Sequence, residues 1–451
     1  MVDVLLTHSN HLYHDRKQVR KMQPYPPLQT LLAAACLRRE GYRVALFDST
    51  FESPEYGFRR ALEQYQPRLV AVCEDNFNFL TKMCLLRNRE LAFEMARAAA
   101  GAGIPVVVNG SDASDHAAEY LGAGFAHVLI GEVEEAIVSV TRCLLETGFG
   151  PPPSRANPIT DLDALPMPAW DLIDPEPYRR TWLLSHGYFS LNMASSRGCP
   201  FHCNWCAKPI WGSNYRCRAP RLVAAEMLEL KTRFHPGQLW FADDIFALSP
   251  HWTHEFAAAV EAADAQIPFK MQSRCDLMTR DTVADLRRAG CVEVWMGVES
   301  GAQSVLDAMD KGTRVHHIYQ ARQNLRRYGI RACYFLQFGY PGETWTEIER
   351  TIALVRETSP DDIGVSVSYP LPGTPFYQMV ASELGPKENW ADSDDLEMMF
   401  QGAFTTHFYR ALADALHIEV RHGAAAAGEA WSNVLALRET CVRKSPLWIS
   451  C

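Results

Sequence analysis

The chain has 451 residues, 47% of them hydrophobic and 22% charged, the balance of a globular protein of two or three domains with enough apolar content to bury a sizeable core. Its formal net charge of -9 excludes an overall basic field of the kind that draws in a nucleic-acid backbone or an anionic membrane surface. No apolar run approaches the roughly 18 residues needed to span a bilayer. The first residues already read as a strand, so a cytoplasmic protein with no membrane or nucleic-acid partner is expected.

From residue 2 to 145 short apolar, β-branched runs alternate with helical patterns, the signature of βαβ units around a parallel sheet. Strands are expected at 2–6, 43–47, 69–72, 105–108 and 127–130, with helices such as 28–40 and 91–102 between them. Ligands of a doubly wound sheet sit at the carboxyl ends of its strands. Here those loops are 7–10, 48–50, 74–79, 109–112 and 131–135. No G-x-G-x-x-G turn follows the first strand, so a dinucleotide is not expected. The basic cluster Arg16, Lys17, Arg20 and Lys21 reads as a solvated face.

Residues 147–185 are rich in Pro and Gly and read as a linker that packs. A second alternation follows, with strands expected at 189–194, 238–241, 269–272, 292–297, 332–338 and 363–367. Helices are expected at 221–234, 252–263, 281–289, 316–328 and 345–357, the last opened by a reciprocal cap between Thr344 and Glu347. Six such units make a partial barrel, whose active site would collect at the carboxyl ends of the strands. Two further helices are expected at 404–422 and 429–439.

The stretch Arg197-Gly198-Cys199-Pro200-Phe201-His202-Cys203-Asn204-Trp205-Cys206 sets three cysteines at C-x-x-x-C-x-x-C spacing just after the first strand of this second series. One tight loop can bring three thiolates to one metal site. They do not complete a tetrahedral zinc site, which takes four N or S ligands, and Cys217, the nearest later thiol, has no C-x-x-C partner. A 4Fe-4S cluster with one open iron fits better. The other ten of the 13 cysteines are scattered and read as reduced, mostly buried thiols, with Cys441 and Cys451 too few for a second cluster.

The stretch resembles the cluster loop of the radical S-adenosylmethionine (SAM) enzymes. The resemblance implies that Cys199, Cys203 and Cys206 hold three irons, that the fourth chelates the methionine end of SAM, and that Trp205 packs beside the adenine. Later strand ends resemble the family's SAM contacts in the right order. Phe241-Ala242-Asp243-Asp244 points to Asp243 for the methionine amino group, and Gln272-Ser273-Arg274 to Arg274 for a carboxylate. Gly297-Val298-Glu299-Ser300-Gly301 points to Glu299 and Ser300 for the ribose and methionine. The turn Phe338-Gly339-Tyr340-Pro341-Gly342-Glu343 is similar to the family's F-G-x-P-G-E, where Gly339 lets backbone approach the ligand. Tyr369-Pro370-Leu371-Pro372-Gly373-Thr374-Pro375 resembles a loop of one subgroup.

The N-terminal half resembles the cobalamin-binding domain that precedes the radical core in that subgroup. The marks are Pro24-Tyr25-Pro26-Pro27-Leu28, Asn109-Gly110-Ser111-Asp112 and Gly131-Glu132-Val133-Glu134-Glu135, together with the linker's Leu165-Pro166-Met167-Pro168-Ala169-Trp170-Asp171. Cobalamin contacts are then implied at Asn76, Phe77, Gly110, Ser111, Gly131 and Glu132. The D-x-H-x-x-G motif that supplies a cobalt ligand in many cobalamin enzymes is absent. His8, His11, His14 and His116 read as surface or satisfied side chains, and no histidine is expected beneath the cobalt.

The expected architecture is α/β: a Rossmann-like cobalamin-binding domain at 1–146, a proline-rich linker at 147–185, a partial (β/α)6 radical SAM barrel at 186–385 and a helical region at 386–451. The implied activity is a cobalamin-dependent radical SAM methyltransferase acting on an unactivated carbon of a small molecule, with a donor such as flavodoxin or ferredoxin. As the family implies, an electron from the cluster cleaves SAM, the resulting radical removes a substrate hydrogen, and methylcobalamin delivers the methyl group. Cyclisation or rearrangement without methyl transfer is the alternative within the family, told apart by product mass. A zinc-stabilised binding module without catalysis is the alternative from another class, told apart by metal analysis.

Overall fold

In the computed structural model, which describes residues 1–440 other than Cys84, Phe149, 151–154, Pro209, Glu388 and Asp394, the chain folds as two compact units. The first comprises Met1–Cys199, Lys208–Asp244 and Asn389–Asp395; the second comprises Pro200–Ala207, Ile245–Glu388 and the chain from Leu396 onward. Among the described residues no helix is long and apolar enough to cross a membrane.

The first unit opens with strands β1 (Val4–Thr7), β2 (Val44–Leu46), β3 (Leu69–Cys73), β4 (Val106–Asn109) and β5 (His127–Leu129). They pair in parallel in the order β2-β1-β3-β4-β5. Because side chains alternate along a strand, Leu5, Val70, Val72 and Val108 enter the core on one face while Val4, Leu6, Ala71 and Val107 enter it on the other. Both faces are buried, which is why the strands read as unbroken apolar runs. The strand order reverses at β1 and β3, so the loops after these strands flank the crevice where doubly wound sheets take their ligands.

Two of the helices that depart from the sequence expectation lie in this unit. Leu86–Gly101 begins five residues before the expected 91, because Leu85 supplies no side-chain cap and the first turn is polar. Within that turn Arg89 is nevertheless buried, its guanidinium forked onto Asp112 at 2.6 and 2.6 Å. Glu176–His186 was not expected at all, since its buried face amounts to Tyr178 and Trp182 in a proline-rich setting. It makes the linker pack: Trp182 Nε1 donates to the Pro24 carbonyl at 2.7 Å, and the Ala169 N–H reaches Leu31 O at 3.1 Å.

Four more strands follow in the first unit, β6 (Ser190–Met193), β7 (Ser196–Arg197), β8 (Arg216–Cys217) and β9 (Gln238–Phe241). The second unit carries β10 (Phe269–Ser273), β11 (Cys291–Glu299), β12 (Arg331–Phe338) and β13 (Asp362–Val367). The six-stranded sheet runs in the order β13-β12-β11-β10-β9-β6, while β7 and β8 form a separate antiparallel ribbon. The cap expected at Thr344 is present, with the Thr344 N–H donating to Glu347 Oε2 at 3.0 Å. The tail helices are Thr406–His422 and Gly428–Thr440, and Cys441 and Cys451 lie outside the described residues.

Candidate functional site

The cysteine loop springs from the β7–β8 ribbon, in which Arg197 lies opposite Arg216. Gly198 sits at φ +77°, and a Cβ there would run into the Asn214 carbonyl oxygen, so both backbone and space require glycine. Lys208 Nζ donates to Cys199 O at 2.7 Å and closes this side. In the second unit the loop is held through Asn204. Its N–H reaches Met309 O at 3.0 Å, its Nδ2 reaches Ala308 O at 2.8 Å, and its own carbonyl accepts from Phe376 N at 3.0 Å. Tyr340, stacked on Phe376 with ring centres 5.2 Å apart, donates to Asn204 Oδ1 at 3.1 Å. The thiols of Cys199, Cys203 and Cys206 are half-buried and stand in no disulfide, whereas Cys217 is exposed on β8. Among the described residues no three His, Cys, Asp or Glu side chains are gathered closely enough to hold a single metal ion.

The carboxyl end of β11 is bulged, pairing Gly297 with Phe335 and then Glu299 with Leu336. Bulges re-aim side chains beside functional sites. Glu299 takes φ +61°, a conformation that costs a non-glycine residue about 1–3 kcal/mol and persists only where the surroundings enforce it. Here the enforcement is an ion pair: Lys311 Nζ donates to Glu299 Oε1 at 2.7 Å, and both atoms lie 2.6 Å from where a Gly297 Cβ would be. Burial by itself would lower the Lys311 pKa, but the Glu299 carboxylate, with a smaller contribution from the Cys203 sulfur, holds the ammonium above its ordinary pKa. Its Nζ stands 5.9 Å from the Trp205 ring, whose buried Nε1 has no hydrogen-bond partner among the described residues. Arg274 forks onto Asp276 at 3.0 and 3.1 Å, donates to Lys311 O at 2.8 Å and lies 3.6 Å over the Phe201 ring.

The second unit therefore brings Cys203, Trp205, Arg274 and Glu299 together, along with Phe201 and Lys311, which no local pattern in the sequence marks. Ser300 is turned to another task, its hydroxyl meeting Thr351 Oγ1 at 3.1 Å and accepting from Ala302 N at 3.1 Å. Gly339, at φ +78°, donates its N–H to Glu343 Oε2 at 2.5 Å, and a Cβ there would lie 2.9 Å from Met398 Cε. Asp243, in the first unit, is buried and accepts from Ser195 N at 3.1 Å, Ser195 Oγ at 2.7 Å and Ser196 Oγ. Burial pushes its carboxyl up to about 6, and its hydrogen bonds to Ser195 and Ser196 brace the turn that leads into the cysteine loop.

Burial also pushes the Glu343 carboxyl up to about 8 from an ordinary 4.5, and one of its oxygens has no partner among the described residues. Between these two values the folded chain binds a proton that the unfolded chain releases, so stability falls as pH rises through this window and levels off above it. Glu343→Gln is expected to match the wild-type melting temperature near pH 5 and to exceed it increasingly up to about pH 8. An identical shift at both ends of that range would refute the assignment.

At the carboxyl edge of the first sheet a polar ladder ties three loops. Asn76 Nδ2 donates to Asn109 Oδ1 at 3.0 Å, Ser111 N donates to Asn76 Oδ1 at 3.1 Å, and Asn109 Nδ2 donates to Gly131 O at 2.9 Å. Gly110 passes so close to Glu74 that a Cβ would lie 2.8 Å from its Cγ. Phe77 packs on Trp211 with ring centres 5.0 Å apart, and Glu132 accepts from Arg197 at 2.7 Å and from Arg216. The buried hydroxyls of Thr81 and Ser114, in the short helices Phe79–Lys82 and Ser111–Asp115 that follow β3 and β4, have no partner among the described residues. The histidines are committed elsewhere: His8 is buried against Asp48 at 3.0 Å, His11 Nδ1 meets Ser49 O at 2.7 Å, and His116 meets Glu119 at 3.0 Å.

Residues 193–355 match the Radical SAM superfamily. An uncharacterized methyltransferase of Pyrococcus horikoshii is 25% identical over 234 residues, 51% of this chain and 50% of that protein. The chain thus spans about half the length of this curated relative. The structure of TsrM, a radical SAM methyltransferase of Kitasatospora setae with cobalamin and a 4Fe-4S cluster bound, matches with a TM-score of 0.67 at 19% identity, over 84% of this chain and 77% of that one. OxsB, a cobalamin-dependent SAM radical enzyme with aqua-cobalamin and SAM bound, matches with a TM-score of 0.71 at 14% identity, over 97% of this chain and 71% of that one. Residues 193–355 thus carry the match to the Radical SAM superfamily, and the fold of the chain is similar to that of TsrM and OxsB.

Proposed function

We propose that the protein is a cobalamin-dependent radical SAM methyltransferase acting on an unactivated carbon of a small molecule. The observation that carries this reading is a buried cation, Lys311, beside Cys203 and Trp205, in a chain that also possesses a complete doubly wound sheet. TsrM, which shares the fold, has been solved with tryptophan as substrate, and this supports a small-molecule substrate here. Residues 1–146 would take the cobalamin, 186–385 the radical chemistry, and 147–185 and 386–451 would serve as linker and helical cover. A cytoplasmic flavodoxin or ferredoxin would supply electrons.

The donor sets fit these groups. Three half-buried thiols on one loop, Cys199, Cys203 and Cys206, are the complement that leaves one iron of a 4Fe-4S cluster open. Arg274, Glu299 and the partnerless Nε1 of Trp205 would meet SAM, with Asp243, Ser300 and Gly339 shaping the strand ends around it. Asn76, Phe77, Gly110, Ser111, Gly131 and the backbone of Glu132 would border the corrin, where the orphaned hydroxyls of Thr81 and Ser114 wait for polar partners. When bound, the cluster and SAM supply the radical that opens a C–H bond, and cobalamin supplies the methyl carrier. The protein's own part is to fix these groups and keep water from them.

The deciding experiment feeds the anaerobic holoenzyme SAM carrying a deuterated methyl group with candidate substrates and reads product mass. A product that gains the labelled methyl supports the reading, and a rearranged product of unchanged carbon count sinks it. A separate expectation concerns the bound cobalt(II) form. With His8, His11 and His116 committed to protein partners, its electron paramagnetic resonance lines should lack nitrogen splitting. Splitting by a protein nitrogen would rule out an unligated lower face.

A further inference from the structure

The ribbon from which the cysteine loop springs sets two arginines side by side. Arg197 and Arg216 are directly opposite on antiparallel strands, an arrangement that like charges make unfavourable. What reconciles them is Glu132, from the loop after β5. Its Oε2 accepts from Arg197 at 2.7 Å and its Oε1 accepts from Arg216. Glu134 takes the other Arg197 nitrogen and also accepts from Gln29 Nε2 at 2.8 Å. Lying in the first turn of helix Val133–Thr147, it gains from the helix dipole as well. All of these side chains except that of Arg216 are almost fully buried, with Glu132 2% and Glu134 0% exposed. Arg197 is further fixed by Trp211, 4.5 Å beneath its guanidinium. It stands two residues before Cys199, and Arg216 ends the segment that returns from Cys206.

We propose that Glu132, assisted by Glu134, is a positioning residue for the iron-sulfur cluster: by clamping Arg197 to Arg216 it fixes the two ends of the cysteine loop and so the placement of its thiols. The inference rests on the reading that this loop holds a cluster, and it gives the Glu132 carboxylate a task distinct from contact with the corrin. The test compares wild type, Glu132→Gln and Asp112→Asn, each reconstituted anaerobically with iron and sulfide. Asp112→Asn breaks the buried pair with Arg89 in the same unit and serves as the control for general destabilisation.

Glu132→Gln is expected to lose iron to a chelator about tenfold faster than wild type, the scale found when outer support of a metal ligand is removed. It should also alter the paramagnetic resonance spectrum of the reduced cluster. Asp112→Asn should lower the melting temperature and leave both readouts unchanged. If Glu132→Gln does not fold, Glu134→Gln takes its place, and Glu132→Asp should restore part of the cluster's retention. A wild-type spectrum and iron loss in Glu132→Gln, or equally fast loss in Asp112→Asn, would overturn the proposal. A wild-type chain that takes up no cluster would instead fail the underlying reading.

Discussion

Cys203→Ala, reconstituted anaerobically, is expected to hold no intact 4Fe-4S cluster and to cleave no SAM, and Cys199→Ala and Cys206→Ala are expected to behave alike. Each removes one of only three protein thiolates that the loop can offer, and no spare thiol shares the loop. Two other cysteines make the comparison strict. Cys217 is exposed on β8, outside the loop, and Cys217→Ala should retain the full cluster. Cys275 feels the charges of Lys311 and Glu299, but burial pushes its thiol up to about 12, so it stays protonated at neutral pH and is a poor ligand. Cys275→Ala should likewise keep iron, sulfide and the brown colour. Loss of the cluster in Cys217→Ala as complete as in Cys203→Ala would make the ligand assignment wrong, and a colourless wild-type protein containing zinc would favour a binding module without catalysis.

The strands were legible in the sequence because parallel sheets buried on both faces write themselves as apolar runs, as Leu69 to Cys73 does with every residue buried. The cysteine loop was legible because its spacing is local. What the sequence concealed are the partners, since ion pairing leaves no period along a chain. Glu299 is named by its motif, but the bulge that turns it and the Lys311 twelve positions later carry no signature of their own. Ser300 is named by the same motif, and its hydroxyl serves the turn into the next helix. Glu132 stood out as part of a ligand-side loop, while its carboxylate goes to Arg197, 65 positions away. The missed helix Glu176–His186 has the same origin: two buried aromatic residues among prolines give too little pattern to read, although tertiary contacts decide the matter.

That hidden pairing decides how the SAM contact must be tested. Removing Glu299 outright would strand the buried Lys311 ammonium, and breaking one side of a buried ion pair costs about 3–5 kcal/mol of stability, so lost binding in Glu299→Ala could reflect a damaged fold. Glu299→Gln keeps the size and an acceptor oxygen while removing the charge. It is expected to weaken SAM binding about tenfold by calorimetry, in line with the loss of a charge-assisted hydrogen bond, and to leave iron content unchanged because the carboxylate is engaged by Lys311. Lys311→Met should be strongly destabilised in urea, since it leaves the Glu299 carboxylate buried and unpaired. The double variant Glu299→Gln/Lys311→Met replaces the pair by neutral groups of similar volume, an exchange that is often close to neutral for stability. It should regain most of the stability lost by Lys311→Met and none of the SAM affinity lost by Glu299→Gln. Recovery of both would mean that the strained Glu299 serves only to hold Lys311 in place, and that SAM is recognised elsewhere.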